Sequence, residues 1–276
     1  MTSPRRPDAS YKKDFIRLLH ENADRHRLYE VFSHFCELSA LSLRNAVDVV
    51  GRDERELRFH KIRERYTDTQ MTRFSHMLGT LVMLMEDGFA DTLGNLFMSL
   101  EFGNQYAGQF FTPYELQRLM AELTMNDVTA ELIAQRGGFI EMNEPACGAG
   151  GMVLACADVL RAREINPQKC LHVTAVDIAE ICVHMTYIHL SLHHIPAIVV
   201  HGNTLSMQEF DHWCTPAHIL GGWRNRLAAR RNARYEKAPV VTPTAAAAGE
   251  PADEIDATAD RVTPAIAAYR SQMTLF

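Results

Sequence analysis

Gly148, Gly150 and Gly151 crowd the junction between an apolar run, residues 139–142, and a helical stretch, residues 152–164. Glycines between a strand and a helix let the backbone approach a ligand closely, and the free amides at the helix start favour anionic groups. In an open parallel sheet the ligand crevice lies at the carboxyl ends of the strands. A dinucleotide fingerprint needs a third glycine three residues after Gly150, but Val153 stands there, which disfavours a nicotinamide dehydrogenase. His184, His189, His193 and His194, with Cys182, share one predicted helix, and His189 and His193 have the i, i+4 spacing that can bind zinc. No Glu follows His189 as a zincin requires, so these read as packing and surface histidines and no metal is expected. Arg224, Arg226, Arg230, Arg231 and Arg234 form a basic cluster that suits either salt-sensitive phosphate contacts or a solvated helix face.

Glu144-Pro145-Ala146-Cys147-Gly148-Ala149-Gly150-Gly151 resembles the Asp-Pro-Ala-Cys-Gly-Ser-Gly-Gly loop of adenine-specific DNA methyltransferases. The likeness extends upstream. Asp91-Thr-Leu-Gly-Asn-Leu-Phe97 followed by Gly108-Gln-Phe-Phe-Thr-Pro113 resembles the segment entering the catalytic domain of type I restriction modification subunits. That resemblance implies an α/β class I methyltransferase fold, Rossmann-like, and S-adenosylmethionine as cofactor. It also implies cofactor contacts from Glu144, Pro145, Ala146, Cys147, Gly148 and Gly150, with Phe111, Thr112 and Pro113 against the methionine part. Asp177, ending the run 173–177, stands where the family's acid accepts from the ribose hydroxyls, although an acid there is also a common helix cap. Asn203, in a turn resembling the family's Gly-Asp-Thr-Leu, stands beside the expected adenine ring. Thr112-Pro113 also reads as a helix N-cap with proline at the first position.

Amino methyltransferases of that family carry Asp, Asn or Ser, then Pro-Pro and an aromatic residue, at the end of the fourth strand. Acceptors there hold the target amino group for attack on the methyl, and the aromatic residue stacks the flipped base. After Leu205 the nearest segments are Asp211-His212-Trp213 and Cys214-Thr215-Pro216-Ala217, and neither reproduces that motif. No catalytic residue is assigned. The resemblance implies an S-adenosylmethionine-dependent, adenine-specific DNA methyltransferase. The missing motif favours instead an inactive S-adenosylmethionine-binding accessory protein of DNA modification or replication, acting with a partner chain. RNA or a protein glutamine as methyl acceptor would need the same motif.

These residues need a scaffold, and the hydrophobic periodicity supplies one. Phe15, Leu18, Leu19, Val31, Phe32, Phe35, Leu38 and Leu41 recur at helical spacing, residues 53–65 read as a solvated helix or connector, and residues 71–100 read as helix broken near Gly79, Gly88 and Gly94. Residues 114–123 predict a further helix. The runs 139–142, 171–176 and 197–201 predict strands, separated by helices over 152–164 and 179–194, which indicates a parallel sheet with right-handed crossovers. The expected organisation is a helical region over 1–104, an incomplete methyltransferase domain over 105–222, and a basic segment, linker and terminal peptide over 223–276. An incomplete sheet leaves the first strand with an unpaired edge, to be covered by residues 207–220 or by a second protein chain.

The formal charge is −6, with 28 Lys and Arg against 34 Asp and Glu, so any DNA contact must come from local basic patches. Six cysteines without a Cys-x-x-Cys pair or a secretory leader predict reduced thiols and a cytoplasmic location. The apolar run 77–85 stops at Glu86 and Asp87 and is too short to cross a bilayer, so no membrane association is expected. Residues 237–268, rich in Ala, Pro, Thr and acids, read as a linker. The final Gln272-Met-Thr-Leu275-Phe276 resembles the peptide by which bacterial proteins dock on the replication sliding clamp.

Overall fold

Helical spacing in the first hundred residues becomes α1 (Asp8–Asn22), α2 (Leu28–Asn45), α3 (Arg52–Arg63), α4 (Asp68–Met85) and α5 (Thr92–Ser99) in the computed structural model, which describes residues 8–86, 88–102 and 110–237. The stripe Val31, Phe32, Phe35, Leu38 and Leu41 of α2 is buried, and the Phe15 ring of α1 stands edge-on to Phe35 at 5.2 Å. Gly79 does not break α4. A capping box starts that helix, with Thr67 and Gln70 satisfying each other's backbone amides, and Phe74, Met77, Leu81 and Met85 bury its inner face. One interior glycine costs only about 1 kcal/mol relative to alanine, less than four buried apolar side chains contribute. Gly94 also sits inside a helix, in the first turn of α5, where its amide donates to Asp91 at 2.9 Å.

The α/β part follows as α6 (Tyr114–Thr124), α7 (Ala130–Gln135), β1 (Ile140–Glu144), α8 (Gly151–Ala162), α9 (Pro167–Cys170), β2 (Leu171–Asp177), α10 (Glu180–Leu192), β3 (Ala197–Asn203), β4 (Gln208–Cys214), α11 (Pro216–Leu220) and α12 (Trp223–Lys237). The sheet order is β1-β2-β3-β4. The first three strands are parallel, with Met142 opposite Val173 and Val173 opposite Ala197, so Glu144, Asp177 and Asn203 all end strands on the same carboxyl rim. The expected α/β fold and helical N-terminal region are present.

Residues 207–220 do not cover β1. They supply β4, antiparallel to β3 at the opposite edge, with an irregularity between His201 and Gly202. The physical reason is Trp213, 2% exposed, whose ring packs against His184 and Tyr187 of α10 at 5.0 and 5.3 Å beneath the Arg44 guanidinium. Among the described residues β1 pairs with β2 alone. Beside its start, Arg230 of α12 donates to the Phe139 carbonyl at 2.8 Å and meets Glu141 at 3.0 Å. Arg226 lies 3.7 Å over the Trp223 ring and 4.9 Å over Phe139, while Arg224 and Arg231 are exposed. The basic cluster is therefore shared between packing and solvent.

Every residue from Ile181 to Ser191 of α10 is buried, as a helix must be when it lies between a sheet and other helices. Arg58 of α3 links Glu37 of α2 to Glu180 of α10, and one apolar core joins the N-terminal helices to the sheet. The expected boundary at 104–105 lies outside the described residues. One compact unit runs to Arg230 and a second begins at Arg231. Among the described residues no helix is long and apolar enough to cross a membrane.

Candidate functional site

The turn after β1 is shaped by backbone conformation and by side chains from elsewhere in the chain. Gly148 and Gly150 have φ of +55° and +88°, which an L side chain adopts at a cost of about 1–2 kcal/mol. A Cβ at Gly148 would lie 3.1 Å from the Phe111 ring, and one at Gly151 would meet Gln117 Oε1 at 2.1 Å and Asp91 Oδ2 at 2.9 Å. The loop is thus pressed close to its surroundings. Gly150 N-caps α8 without any side-chain cap, so the first amides of that helix have no side-chain partner at this end.

Asp177 joins the second strand to the loop. One carboxylate oxygen accepts from the Gly148 amide at 2.8 Å and the other from Ala179 at 2.9 Å, so it joins the glycine turn to the residue that precedes α10. Burial raises its pKa, opposed by the amides of Ala179, Gly148 and Ile178. Burial likewise raises Glu144, whose carboxylate accepts from Ala146 at 3.4 Å. Each oxygen of Asp177 keeps a second lone pair, which suits paired hydroxyl donors. Thr204 donates to the Pro145 carbonyl at 2.6 Å and ties the end of β3 to the same turn. Asn203 Oδ1 accepts from Leu205 and Ser206 at 3.0 and 3.2 Å, so that oxygen is engaged in its own turn.

Cys147 is buried within the loop. Its amide donates to the Val176 carbonyl at 2.9 Å, and burial pushes its thiol well above the ordinary range, so it is a packed, unreactive thiol. The Phe111 ring rests on Phe97 at 5.1 Å. Pro113, not Thr112, occupies the N-cap of α6, and no side chain caps that helix. The Pro113 carbonyl accepts from Leu116 and Gln117, while the Thr112 carbonyl accepts from the Gln117 amide group at 2.9 Å.

Four residues that shape this region are not assigned to it by the sequence, although Asp91 opens the motif 91–97 and His189 reads as a packing or surface histidine: Asp91 and Gln117 beside Gly151, and Thr186 with His189 on α10. The Thr186 hydroxyl donates to the Gly148 carbonyl at 2.9 Å. His189 Nδ1 lies 2.6 Å from the Ala149 carbonyl and Nε2 lies 3.1 Å from the Leu93 amide. An amide can only donate, so Nε2 is the bare nitrogen and Nδ1–H donates to Ala149. Burial depresses this imidazole to about 4 and keeps it neutral. Both ring nitrogens of His189 are engaged, Nδ1 with the loop and Nε2 with α5, and among the described residues no group of three His, Cys, Asp or Glu could hold a metal. The available signal is that Thr186 and His189 lie about one turn apart on a largely apolar helix, but His184 and Ser191 on the same helix blur it.

The chain matches the N-6 DNA methylase family over residues 89–246. No curated protein matches it. Among solved structures, a class I S-adenosylmethionine-dependent methyltransferase from Listeria monocytogenes is similar at 12% identity and a TM-score of 0.39, covering 71% of this chain and 54% of that one. The chain spans about half the length of that protein.

Proposed function

The chain belongs to the N-6 DNA methylase family, and from that premise we propose that it binds S-adenosylmethionine across the loop 144–151 and serves methyl transfer to the exocyclic amino group of adenine in DNA. The observation that carries this reading is the direct bond from the Gly148 amide to Asp177, which sets a strand-end carboxylate and a glycine turn into one pocket wall. The residues present fit such a ligand. Asp177 would accept from the ribose hydroxyls, Gly148 and Gly150 supply the positive-φ backbone of the turn, and the uncapped start of α8 suits a carboxylate. Phe111 adds an apolar wall. When bound, the cofactor supplies an activated methyl group, and the protein's part is to hold and orient it.

A second reading is an accessory protein that binds S-adenosylmethionine without transferring its methyl. It is favoured by the absence, in these 276 residues, of an Asp, Asn or Ser followed by Pro-Pro and an aromatic residue. A partner chain completing the sheet would lie along β1, where β2 pairs on one side alone among the described residues. The clamp-docking peptide with Gln272, Leu275 and Phe276 lies outside the described residues, and loss of clamp pull-down on deleting Leu275 and Phe276 would support it.

Titration calorimetry with S-adenosylmethionine on the wild type and on Asp177→Ala tests the central claim. Weakening on the order of tenfold or more, about 1.4 kcal/mol, is expected for the variant. Absence of binding by the wild type sinks the claim. Binding with incorporation of labelled methyl into DNA selects the enzyme, and binding without it selects the accessory reading.

A further inference from the structure

Asp91 and Gln117 converge on one point at the start of α8. Asp91 is 3% exposed and Gln117 is 7% exposed, and Asp91 Oδ2 and Gln117 Oε1 lie 2.9 and 2.1 Å from where a Gly151 Cβ would be. Gln117 commits its amide group to the Thr112 carbonyl at 2.9 Å, which aims its oxygen inward. That oxygen is buried and has no hydrogen-bond donor. The other oxygen of Asp91 accepts from the Gly94 amide at 2.9 Å. The second Asp91 oxygen and the unpartnered Gln117 oxygen thus face the same small volume, and a buried acceptor left without a donor destabilises the fold.

We propose that Asp91 is a positioning residue whose protonated form donates to Gln117 Oε1. This hydrogen bond ties the start of α5 to α6 and holds Gln117 in the rotamer that binds Thr112. Phe111, next to Thr112, is then kept against Gly148, so the link shapes the wall of the pocket assigned above, and its effect on cofactor rests on that assignment. When Asp91 loses the proton to solvent, two acceptor oxygens oppose each other, Gln117 turns away and the hold on Thr112 is released.

Burial raises this carboxyl to about 6, and a hydrogen bond donated by the neutral form acts in the same direction. The titratable neighbours that face it are Tyr114 of α6 and Cys182 of α10, both raised well above the neutral range, and neutral His189 of α10 beyond Leu93. On α8 the facing residue is Gly151, and the nearby Arg118 and Asp158 pair with each other. Because the folded pKa is raised, stability from this group falls as pH rises from about 4 toward about 6 and is flat beyond.

Asp91→Asn provides the test, since its amide donates to Gln117 at every pH. Urea denaturation of the two proteins from pH 4 to 8 reads the proton directly. The wild type is expected to lose stability relative to Asp91→Asn as pH rises through this window, and Asp91→Ala is expected to be the weaker protein throughout. S-adenosylhomocysteine affinity of the wild type is expected to fall several-fold above pH 6, while that of Asp91→Asn stays level. A constant stability difference across pH, or an Asn variant no better than Ala, overturns the proposal. If the wild type binds no S-adenosylhomocysteine at any pH, the cofactor assignment fails alone, and the denaturation arm still judges the proton.

Discussion

Gly151 shows how little room one residue leaves at this site. Alanine there would place a methyl group 2.1 Å from Gln117 Oε1 and 2.9 Å from Asp91 Oδ2, so Gln117 must give up its bond to Thr112. Gly151→Ala is expected to cost about 1–3 kcal/mol in urea denaturation, as overpacking does elsewhere. Weaker S-adenosylmethionine binding should accompany it in calorimetry. The residue types of the turn were legible because they are contiguous, from Glu144 to Gly151. Of its supports only Asp177 was, since Asp91, Gln117 and Thr186 reach it from other elements, and nothing in their immediate neighbours announces a contact with the turn.

At the scale of elements, α10 ties the loop to the N-terminal helices through His189. His189→Ala removes the acceptor for Leu93 and the donor for Ala149 and leaves a cavity, a loss expected at about 2–4 kcal/mol in chemical denaturation. The same imidazole predicts acid sensitivity. Its folded pKa, about 4, lies below the ordinary 6.5, so the unfolded chain takes up the proton first. The resulting stability is complete above about pH 6.5 and is lost as pH falls toward 4. His193 has the same sign, whereas Asp91 has the opposite one. Thermal melts from pH 7 to pH 4.5 should therefore show a steeper fall for the wild type than for His189→Gln. Helix α10 itself was legible from apolar spacing, and so was α4, except that Gly79 suggested a break. A local signal of that size yields when a capping box and a buried face act on the same helix.

For the whole molecule, the consequential arrangement is the sheet order, which puts β1 at one edge and β4 at the other. Trp213 fixes the second edge by filling the space beside His184 and Tyr187, and Trp213→Ala is expected to cost about 3–5 kcal/mol in denaturant unfolding. Residues 208–214 were not recognised as a strand because Gln-Glu-Phe-Asp-His-Trp-Cys leaves its first three residues exposed and carries a weak alternation. The sequence by itself determined the alternation of strand and helix, the glycine turn, and the acid at the end of the second strand, because each depends on neighbours within a few positions. Only the tertiary structure decided that Asp177 holds Gly148, that His189 holds Leu93 and Ala149, that Asp91 faces Gln117, and which edge residues 208–214 take. Those contacts join positions as far apart as 96 residues, and their energy exists only once the intervening chain has packed.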